Sequence, residues 1–199
     1  SVKYELTGAE FLVGIPGTLG GALAMNAGAF GGEIWDVIHS VTTINRQGIE
    51  RVRSREEFNV GYRSVELEKD EWFLTASLNL QSDTSQNSKA ILKDLLGRRS
   101  DSQPIGEASC GSVFKNPDTG APAAKLIDKC GLKGLAIGGA VVSEKHANFI
   151  LNSGNASAED IEKLICKVQQ VVKEQFDVML IPEVRMIGTS LHEGSIGDE

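Results

Sequence analysis

Glycine recurs throughout residues 14–32, where the sequence reads GIPGTLGGALAMNAGAFGG, and it limits how this chain can fold. Repeated glycine allows a backbone to approach a ligand closely and leaves N–H groups that can point at phosphate oxygens. The segment is not a P-loop, which needs Gly-Lys-Ser/Thr, and no G-x-G-x-x-G motif follows a strand. Composition alone leaves two interpretations open: a ligand-binding loop, or a helix packed closely through glycine and alanine.

The pattern after the glycine-rich segment predicts strands and then a helix. VIHSVTTIN and IERVRS flank Arg46-Gln47-Gly48, which predicts a hairpin turn, and WFLTASLNL reads as a further strand. Residues 85–99 read as a helix with Lys or Arg near its end. We expect one face of that helix to carry Ile91, Leu92, Leu95 and Leu96.

Helix and strand signals alternate in the second half of the chain. APAAKLIDKCGLKG predicts a short helix ended by Gly131, and GGAVVSEKHANFILN predicts two strands around a polar turn. Ser157 caps the clearest helix, in which apolar residues recur at helical spacing up to Phe176. VMLIPEVRMIG predicts a closing strand. The chain therefore divides near residues 100–106, with a small α/β domain after that point.

Composition and charge exclude several classes of protein. The net charge of −7 argues against a surface that binds nucleic acid, and the apolar stretches are far shorter than a membrane span. The three cysteines form no CxxC, so neither a disulfide framework nor a structural zinc site is expected, and a reducing cytoplasm fits better. The three histidines are too scattered along the sequence to indicate a metal site.

A few polar residues are candidates for chemistry. Tyr62 and Arg63 end a strand-like run; an arginine there can bind a carboxylate through its planar fork, although a surface arginine is the commoner case. Ser112 follows Gly111 without a G-x-S-x-G elbow, so a turn hydroxyl is the simpler interpretation. Glu183 lies in the predicted closing strand, where glutamate usually faces solvent. Taken singly, these residues do not identify an activity.

Several stretches, in their order along the chain, resemble one known family. They are GIPGTLGGALAMNAGAFGGEI, GYR, RRSDSQP, GSVFKNP, GLKGLAIGGAVVSEKHANFILN and IPEVRMIG. Together they closely resemble the UDP-N-acetylenolpyruvoylglucosamine reductases, the MurB flavoproteins of bacterial peptidoglycan synthesis. The resemblance runs from about residue 8 to residue 188. The short link between GYR and RRSDSQP is similar to the subtype that lacks an extra substrate-closing loop.

The resemblance implies an α+β fold in three parts. Residues 1–100 would be the C-terminal portion of a PCMH-type FAD-binding lobe, residues 101–189 a small α/β substrate-binding domain, and residues 190–199 a flexible tail. Family members begin with a further domain that contributes to the flavin site. We therefore expect this chain alone to bind FAD weakly and to reduce little or nothing.

The resemblance also implies a reaction, the NADPH-dependent reduction of UDP-N-acetylglucosamine enolpyruvate to UDP-N-acetylmuramate through FAD. The flavin N5 would deliver hydride to C3 of the enolpyruvyl group, and Ser112 would protonate C2. Serine is a weak acid, but a carbanion-like C2 is a strong base and can take its proton. Arg63 and Glu183 match the pair at the substrate carboxylate, where negative charge develops. Glu183 would donate to that carboxylate in its protonated form, or act through Arg63.

Binding residues are assigned by the same resemblance. Those matching the FAD-binding loops are Gly14, Ile15, Pro16, Gly17, Gly20, Gly21, Asn26, Gly28, Ala29 and Phe30. Those expected near the substrate are Tyr62, Lys115, Asn116, Lys133, His146 and Asn148. A lysine there can meet a diphosphate as a point charge.

Two alternatives to the reductase remain open from the sequence. A non-catalytic uridine-nucleotide-binding fragment would keep the second domain without a working flavin site. A flavin oxidase of the same FAD-binding fold shares the glycine-rich lobe, but it does not account for GSVFKNP and PEVR together. No nucleic acid, membrane or metal is expected as a partner, and the oligomeric state is left open.

Overall fold

The chain has an α+β architecture that divides into two compact units. The computed structural model describes residues 1–118 and 120–188. Unit 1 is Ser1–Asp101 and unit 2 is Ser102–Glu199. The boundary between Asp101 and Ser102 falls within residues 100–106, where the sequence predicts a division. The predicted tail, residues 190–199, lies outside the described residues.

Unit 1 is built around a three-stranded antiparallel sheet of order β5-β4-β8. Strand β1 pairs with β9, and β2–β3 and β6–β7 form two further antiparallel pairs. The strands are β1 (Leu6–Thr7), β2 (Gly28–Ala29), β3 (Gly32–Glu33), β4 (Ile38–Asn45), β5 (Glu50–Ser54), β6 (Val60–Gly61), β7 (Ser64–Val65), β8 (Glu71–Leu78) and β9 (Gln81–Ser82). The helices are α1 (Leu19–Ala24) and α2 (Ser88–Ser102), with single 3₁₀ turns at Val2–Tyr4, Glu10–Leu12, Ile34–Asp36 and Arg55–Glu57.

The β4–β5 hairpin turns where the sequence predicts it. The Asn45 side-chain oxygen accepts hydrogen bonds from the N–H of Gln47 at 3.0 Å and of Ile49 at 2.9 Å. An asparagine that bonds its own backbone two residues on is a common device of tight turns. Between them, Gly48 has a φ of 78°, which glycine adopts without steric cost.

An aromatic cluster forms the core of unit 1. The Trp35 ring centroid lies 4.8 Å from that of Phe58 and 5.8 Å from that of Phe73. Trp35 is 2 % exposed, and its indole N–H donates to the carbonyl of Leu23 in α1 at 2.8 Å. That bond satisfies the only polar group of a buried tryptophan. It also fixes α1, which follows the GIPG turn, against the sheet.

Unit 2 contains a four-stranded antiparallel sheet of order β10-β13-β12-β11 and two helices. The elements are β10 (Ser109–Ser112), α3 (Ala123–Lys129), β11 (Ala136–Ile137), β12 (Ala140–Val142), β13 (Phe149–Asn152) and α4 (Ala158–Phe176). Helix α3 ends before Gly131, which has a φ of 66°, as the sequence predicts.

Helix α4 provides much of the core of unit 2. Ser157 accepts a hydrogen bond from the N–H of Asp160, whose carboxylate accepts in return from the N–H of Ser157, a reciprocal capping box. Its buried face consists of Leu164, Ile165, Val168 and Val172. Within residues 1–118 and 120–188, no helix is both long enough and apolar enough to cross a membrane.

Two predictions from the sequence are wrong in part. Helix α2 begins at Ser88 rather than residue 85, and Ile91 and Leu96 are 42 % and 43 % exposed, so the buried face does not include them. The predicted closing strand reduces to one isolated bridge between Phe114 and Pro182. The residues on either side of Phe114 and Pro182 make the bonds of this bridge, and Pro182 has no N–H with which a strand could pair on its other side.

Candidate functional site

Arg63 lies in the tight turn between β6 and β7, and its side chain is bound to the glycine-rich segment. Its φ of 53° is left-handed, which is uncommon for a residue other than glycine. The guanidinium donates to the carbonyl oxygen of Asn26 at 3.2 Å and of Gly28 at 2.9 Å. It also lies 5.0 Å from the ring centroid of Tyr62. Two carbonyls and one ring therefore orient the cation.

Asn26 and Glu33 connect the glycine-rich segment to Arg63 and to the turn that carries it. Asn26 is 1 % exposed, and its amide nitrogen donates to Glu33 Oε2 at 2.6 Å and to the carbonyl of Gly61 at 3.0 Å. Glu33 Oε1 lies 3.8 Å from Arg63 Nη1. Asn26 thus links the glycine-rich segment to the turn that carries Arg63, instead of presenting its amide nitrogen at the surface. The sequence reasoning missed Glu33, whose only signal is a carboxylate directly after two glycines.

Only glycine fits at position 28, because its neighbours leave no room for a side chain. A Cβ placed there would lie 2.6 Å from the carbonyl oxygen of Gly32, 2.9 Å from Glu33 Cγ and 3.3 Å from Arg63 Nη1. The first of these atoms belongs to the backbone of the paired strand β3, so it cannot move away without opening the pair. The absence of a side chain at Gly28 is what lets Arg63 reach the backbone.

The predicted FAD-binding residues around α1 differ in their surroundings. Gly14 has a φ of 74° and faces the Arg99 side chain, whereas Gly17 has a φ of 111° and nothing within 4 Å of its Cβ position. Gly20 and Gly21 lie inside α1, where the N–H of Gly21 bonds Thr18 Oγ1 at 3.1 Å. Ile15 and Pro16 lie in irregular backbone between Gly14 and Gly17, and Ala29 is the last residue of β2. Gly20 therefore lies in a helix close to the backbone of β8, as close helix packing predicts, whereas the ligand-binding interpretation stays a prediction for the open position at Gly17.

Phe30 adds an exposed aromatic ring beside two arginines. Its φ is 56° and its side chain is 37 % exposed. The guanidinium carbons of Arg98 and Arg99 lie 5.2 Å and 5.7 Å from its ring centroid. Asn26, Phe30 and Arg63 are all left-handed residues other than glycine. Such conformations concentrate at functional sites, because the surrounding structure must hold them there.

In unit 2, an irregularity in β10 sets the direction of Ser112. Ser109 pairs with Leu151 and Ser112 with Phe149, so the register shifts between the two pairs. Gly111 has a φ of 82° in this bulge. A bulge of this kind re-aims the side chain that follows it. The neighbouring Cys110 is exposed at the residue level, although burial of its thiol raises the pKa.

The segment that carries Ser112 is bonded directly to the segment that carries Glu183. The N–H of Glu183 donates to the carbonyl of Val113 at 2.8 Å, and the N–H of Lys115 donates to the carbonyl of Ile181 at 2.9 Å. Ser112 and Glu183 are both half-buried. Two residues that are far apart in sequence are therefore held on adjacent backbone segments.

The residues predicted near the substrate divide into surface and interior groups. Asn116 is exposed, and its side-chain oxygen accepts from the N–H of Ala123 at the start of α3 at 3.0 Å. Lys133 forms an ion pair with Asp128 at 3.2 Å. Asn148 is 4 % exposed and bonds both backbone groups of Phe114. Only Asn148 among these is fully enclosed by protein.

His146 is half-buried beside Phe149. Its ring centroid lies 4.8 Å from that of Phe149, and its Nδ1 accepts from the N–H of Asn148 at 3.3 Å. Burial lowers the pKa of His146 below its usual 6.5, and the nearby charge of Lys133 acts in the same direction. No group of three His, Cys, Asp or Glu residues in the described part of the chain could hold a metal ion.

Comparison with known proteins identifies the family. Residues 103–187 match the family model for the UDP-N-acetylenolpyruvoylglucosamine reductase C-terminal domain. A reductase of that name from Alkalilimnicola ehrlichii is 54% identical over 187 residues, which are 94% of this chain and 62% of the relative. The chain belongs to the MurB reductase family. A MurB relative from Methylococcus capsulatus is 56% identical over 186 residues, 94% of this chain and 61% of the relative.

A solved MurB structure has the same fold. The crystal structure of UDP-N-acetylenolpyruvylglucosamine reductase (MurB) from Thermus caldophilus superposes with a TM-score of 0.79 at 35% identity. The similarity covers 90% of this chain and 64% of the Thermus chain. This chain therefore spans less than two thirds of the length of each of these three MurB proteins.

We expect Gly28→Ala to destabilise unit 1, because the new methyl group would press on the β3 backbone. Overpacking of this kind costs about 1–3 kcal/mol in the free energy of unfolding. Gly97→Ala in α2 is the matched control, since nothing lies within 4 Å of its Cβ position. That control should gain about 0.5–1 kcal/mol from the loss of glycine entropy in a helix. Urea unfolding measures both, and equal effects of the two substitutions would contradict the steric argument.

A second prediction concerns pH and His146. Because the folded pKa is lowered below 6.5, the unfolded state binds a proton first as the pH falls. The neutral ring thus stabilises the fold above pH 6.5, and that contribution is lost as the pH falls through the folded pKa. We expect the urea concentration at the unfolding midpoint to decrease as the pH is lowered from 7.5 to 5.5. The His146→Gln substitution should reduce this dependence on pH. An unchanged slope in the variant would assign the effect to other groups.

Proposed function

We propose that this chain carries the substrate-reducing residues of an NADPH- and FAD-dependent reductase that converts UDP-N-acetylglucosamine enolpyruvate to UDP-N-acetylmuramate. The reaction would belong to peptidoglycan precursor synthesis in the cytoplasm. The observation that supports it most is the direct hydrogen bond between the Ser112 and Glu183 segments, through Glu183 N–H and Val113 O at 2.8 Å. The reductase name shared by the relatives supplies the class of substrate.

The glycine-rich segment of unit 1 fits a flavin nucleotide in its chemistry. At Gly17 the φ of 111° and the open space at the Cβ position leave the backbone accessible to a diphosphate. Arg99 lies against Gly14, where it can balance negative charge, and Phe30 presents an exposed ring. When bound, FAD would supply the hydride that reduces the enolpyruvyl double bond.

Ser112 is the proposed proton donor to C2 of the substrate. Its position after the β10 bulge and before the buried Val113 and Phe114 fixes its backbone, so the hydroxyl has little freedom beyond its own rotamer. A positioned acid of this kind contributes about 10²–10⁴-fold to a rate. The half-buried setting limits the water that would otherwise supply the proton.

Arg63 and Glu183 are each proposed to act on the substrate carboxylate, which is the role that the family resemblance implies for both residues. Arg63 is oriented before the substrate arrives by the carbonyls of Asn26 and Gly28, so little reorganisation is needed when negative charge develops. Glu183 would donate a hydrogen bond in its protonated form.

A chimera of this chain with a full-length relative tests the activity. In the Alkalilimnicola ehrlichii relative, the matched region is replaced by this chain, and the chimera is compared with this chain alone. We expect the chimera to retain FAD and to oxidise NADPH only when the enolpyruvyl nucleotide is present. The chain alone should bind FAD weakly, because it spans 62% of that relative.

Each other outcome of that comparison identifies a different function. Stoichiometric FAD and NADPH turnover by the chain alone would contradict the expectation of weak binding. Binding of UDP-N-acetylmuramate by the chimera without any flavin would favour a nucleotide-binding role. Oxygen consumption without the sugar nucleotide would favour a flavin oxidase.

Ser112→Ala in the chimera tests the mechanism. We expect NADPH to bleach the flavin absorbance at an unchanged rate, whereas reoxidation by the enolpyruvyl nucleotide should slow by about 10²–10⁴-fold. Ser109→Ala is the matched control, because Ser109 is an exposed serine at the other end of β10. Stopped-flow absorbance separates the two half-reactions. An equal loss in both would mean that Ser112 has a structural role only.

A further inference from the structure

Asn148 makes an unusually complete set of hydrogen bonds to the residues that follow Ser112. Its amide nitrogen donates to the carbonyl of Phe114 at 2.8 Å, and its side-chain oxygen accepts from the N–H of Phe114 at 3.0 Å. Its own carbonyl accepts from the N–H of Val113 at 2.9 Å. The side-chain amide thereby replaces a peptide group of a neighbouring strand.

On its opposite side, the Val113–Phe114 segment is hydrogen-bonded to the segment that contains Glu183. The carbonyl of Val113 accepts from the N–H of Glu183 at 2.8 Å. All four backbone polar groups of Val113 and Phe114 are therefore bonded, three to Asn148 and one to Glu183. The side chains of Val113 and Phe114 are 1 % and 2 % exposed, so the segment is also held by packing. Ser112 is the next residue along this fixed backbone.

The burial of Asn148 argues against contact with a ligand. The residue is 4 % exposed, and each of its two amide atoms already has a protein partner. Each amide atom keeps a second N–H or lone pair, but at 4 % exposure the surrounding protein covers both, so a ligand could reach them only by displacing that protein. The resemblance places Asn148 near the substrate, and the geometry gives it a different task from binding.

We propose that Asn148 is a positioning residue, which fixes the Val113–Phe114 backbone so that Ser112 stays on the segment bonded to Glu183. The effect on rate rests on the proposed function, whereas the effect on the backbone does not. A positioning residue lowers kcat with little change in KM, because it acts on the reacting geometry and not on ground-state binding. A substrate ligand would mainly raise KM.

The decisive variant is Asn148→Asp, because its effect depends on pH. The ionised carboxylate keeps an acceptor for the N–H of Phe114 but cannot donate to its carbonyl. The protonated carboxyl group can do both, and burial raises its pKa toward the neutral range. In the chimera at pH 8 we expect kcat to fall by about 10²-fold, as for a small misplacement of a catalytic group. Relative to the unaltered chimera, kcat should recover as the pH falls to 6.

Asn152→Asp is the matched control on the same strand. Asn152 is exposed, and in the described part of the chain its side chain bonds only through its oxygen, which accepts from the N–H of Gly154 and Ala156. The charge change is the same, but no donor is lost, so kcat and its pH profile should stay unchanged. In a Ser112→Ala background, Asn148→Asp should cause no further loss in substrate-dependent flavin reoxidation, because both act through one hydroxyl. An additive loss would overturn the proposal.

Hydrogen exchange on this chain alone tests the backbone effect without any activity. We expect Asn148→Asp to speed exchange of the Val113 and Phe114 amides at pH 8, and Asn152→Asp to leave them unchanged. Unchanged exchange in the first variant would overturn the proposal, as would a KM increase at constant kcat. If the unaltered chimera shows no reductase activity while the exchange result holds, the proposed function fails and the backbone role of Asn148 stands.

Discussion

The pairing of the Val113–Phe114 backbone on both of its sides is the constraint on which unit 2 depends. Buried peptide groups must be bonded, and the 181–183 segment bonds only the carbonyl of Val113 and the N–H of Lys115. The side chain of Asn148 supplies the partners for the N–H and the carbonyl of Phe114. The short Val113–Phe114 segment is thus fully bonded, although its neighbour at 181–184 forms only one bridge.

In unit 1, hydrogen bonds to backbone groups likewise hold Arg63 in place. Carbonyl oxygens of the glycine-rich segment orient Arg63, and a buried asparagine ties that segment to the Arg63 turn. In both units an asparagine in the interior satisfies backbone groups next to a candidate catalytic side chain. Under the proposed function the benefit would be the same in each: a charge or a proton would be in place before the substrate arrives, so that less reorganisation would accompany the reaction.

The sequence predicted the turns, caps and helix ends that depend on interactions between residues close together in the chain. The Asn45–Gly48 turn, the Ser157 cap and the end of α3 at Gly131 all depend on residues within a few positions of one another. The family and the candidate residues Ser112, Arg63 and Glu183 came from a resemblance, not from periodicity. The role of Asn148 was out of reach, because its partner Phe114 lies 34 residues away. The exposure of Ile91 and Leu96 was also not predictable from the sequence. The spacing of apolar residues shows which side chains share a helix face, but it does not show whether that face is buried.

The glycine-rich segment shows how one composition can serve two physical purposes. At Gly28 the missing side chain makes room for Arg63 and the β3 backbone, so any substitution there acts on folding first. At Gly17 the backbone is left-handed with open space beside it, so glycine is required by conformation and the space is available to a ligand. A sequence cannot separate these cases, because both are written with the same letter. The distance from each Cβ position to its nearest atom does separate them, and it assigns Gly28 to the scaffold and Gly17 to the accessible surface.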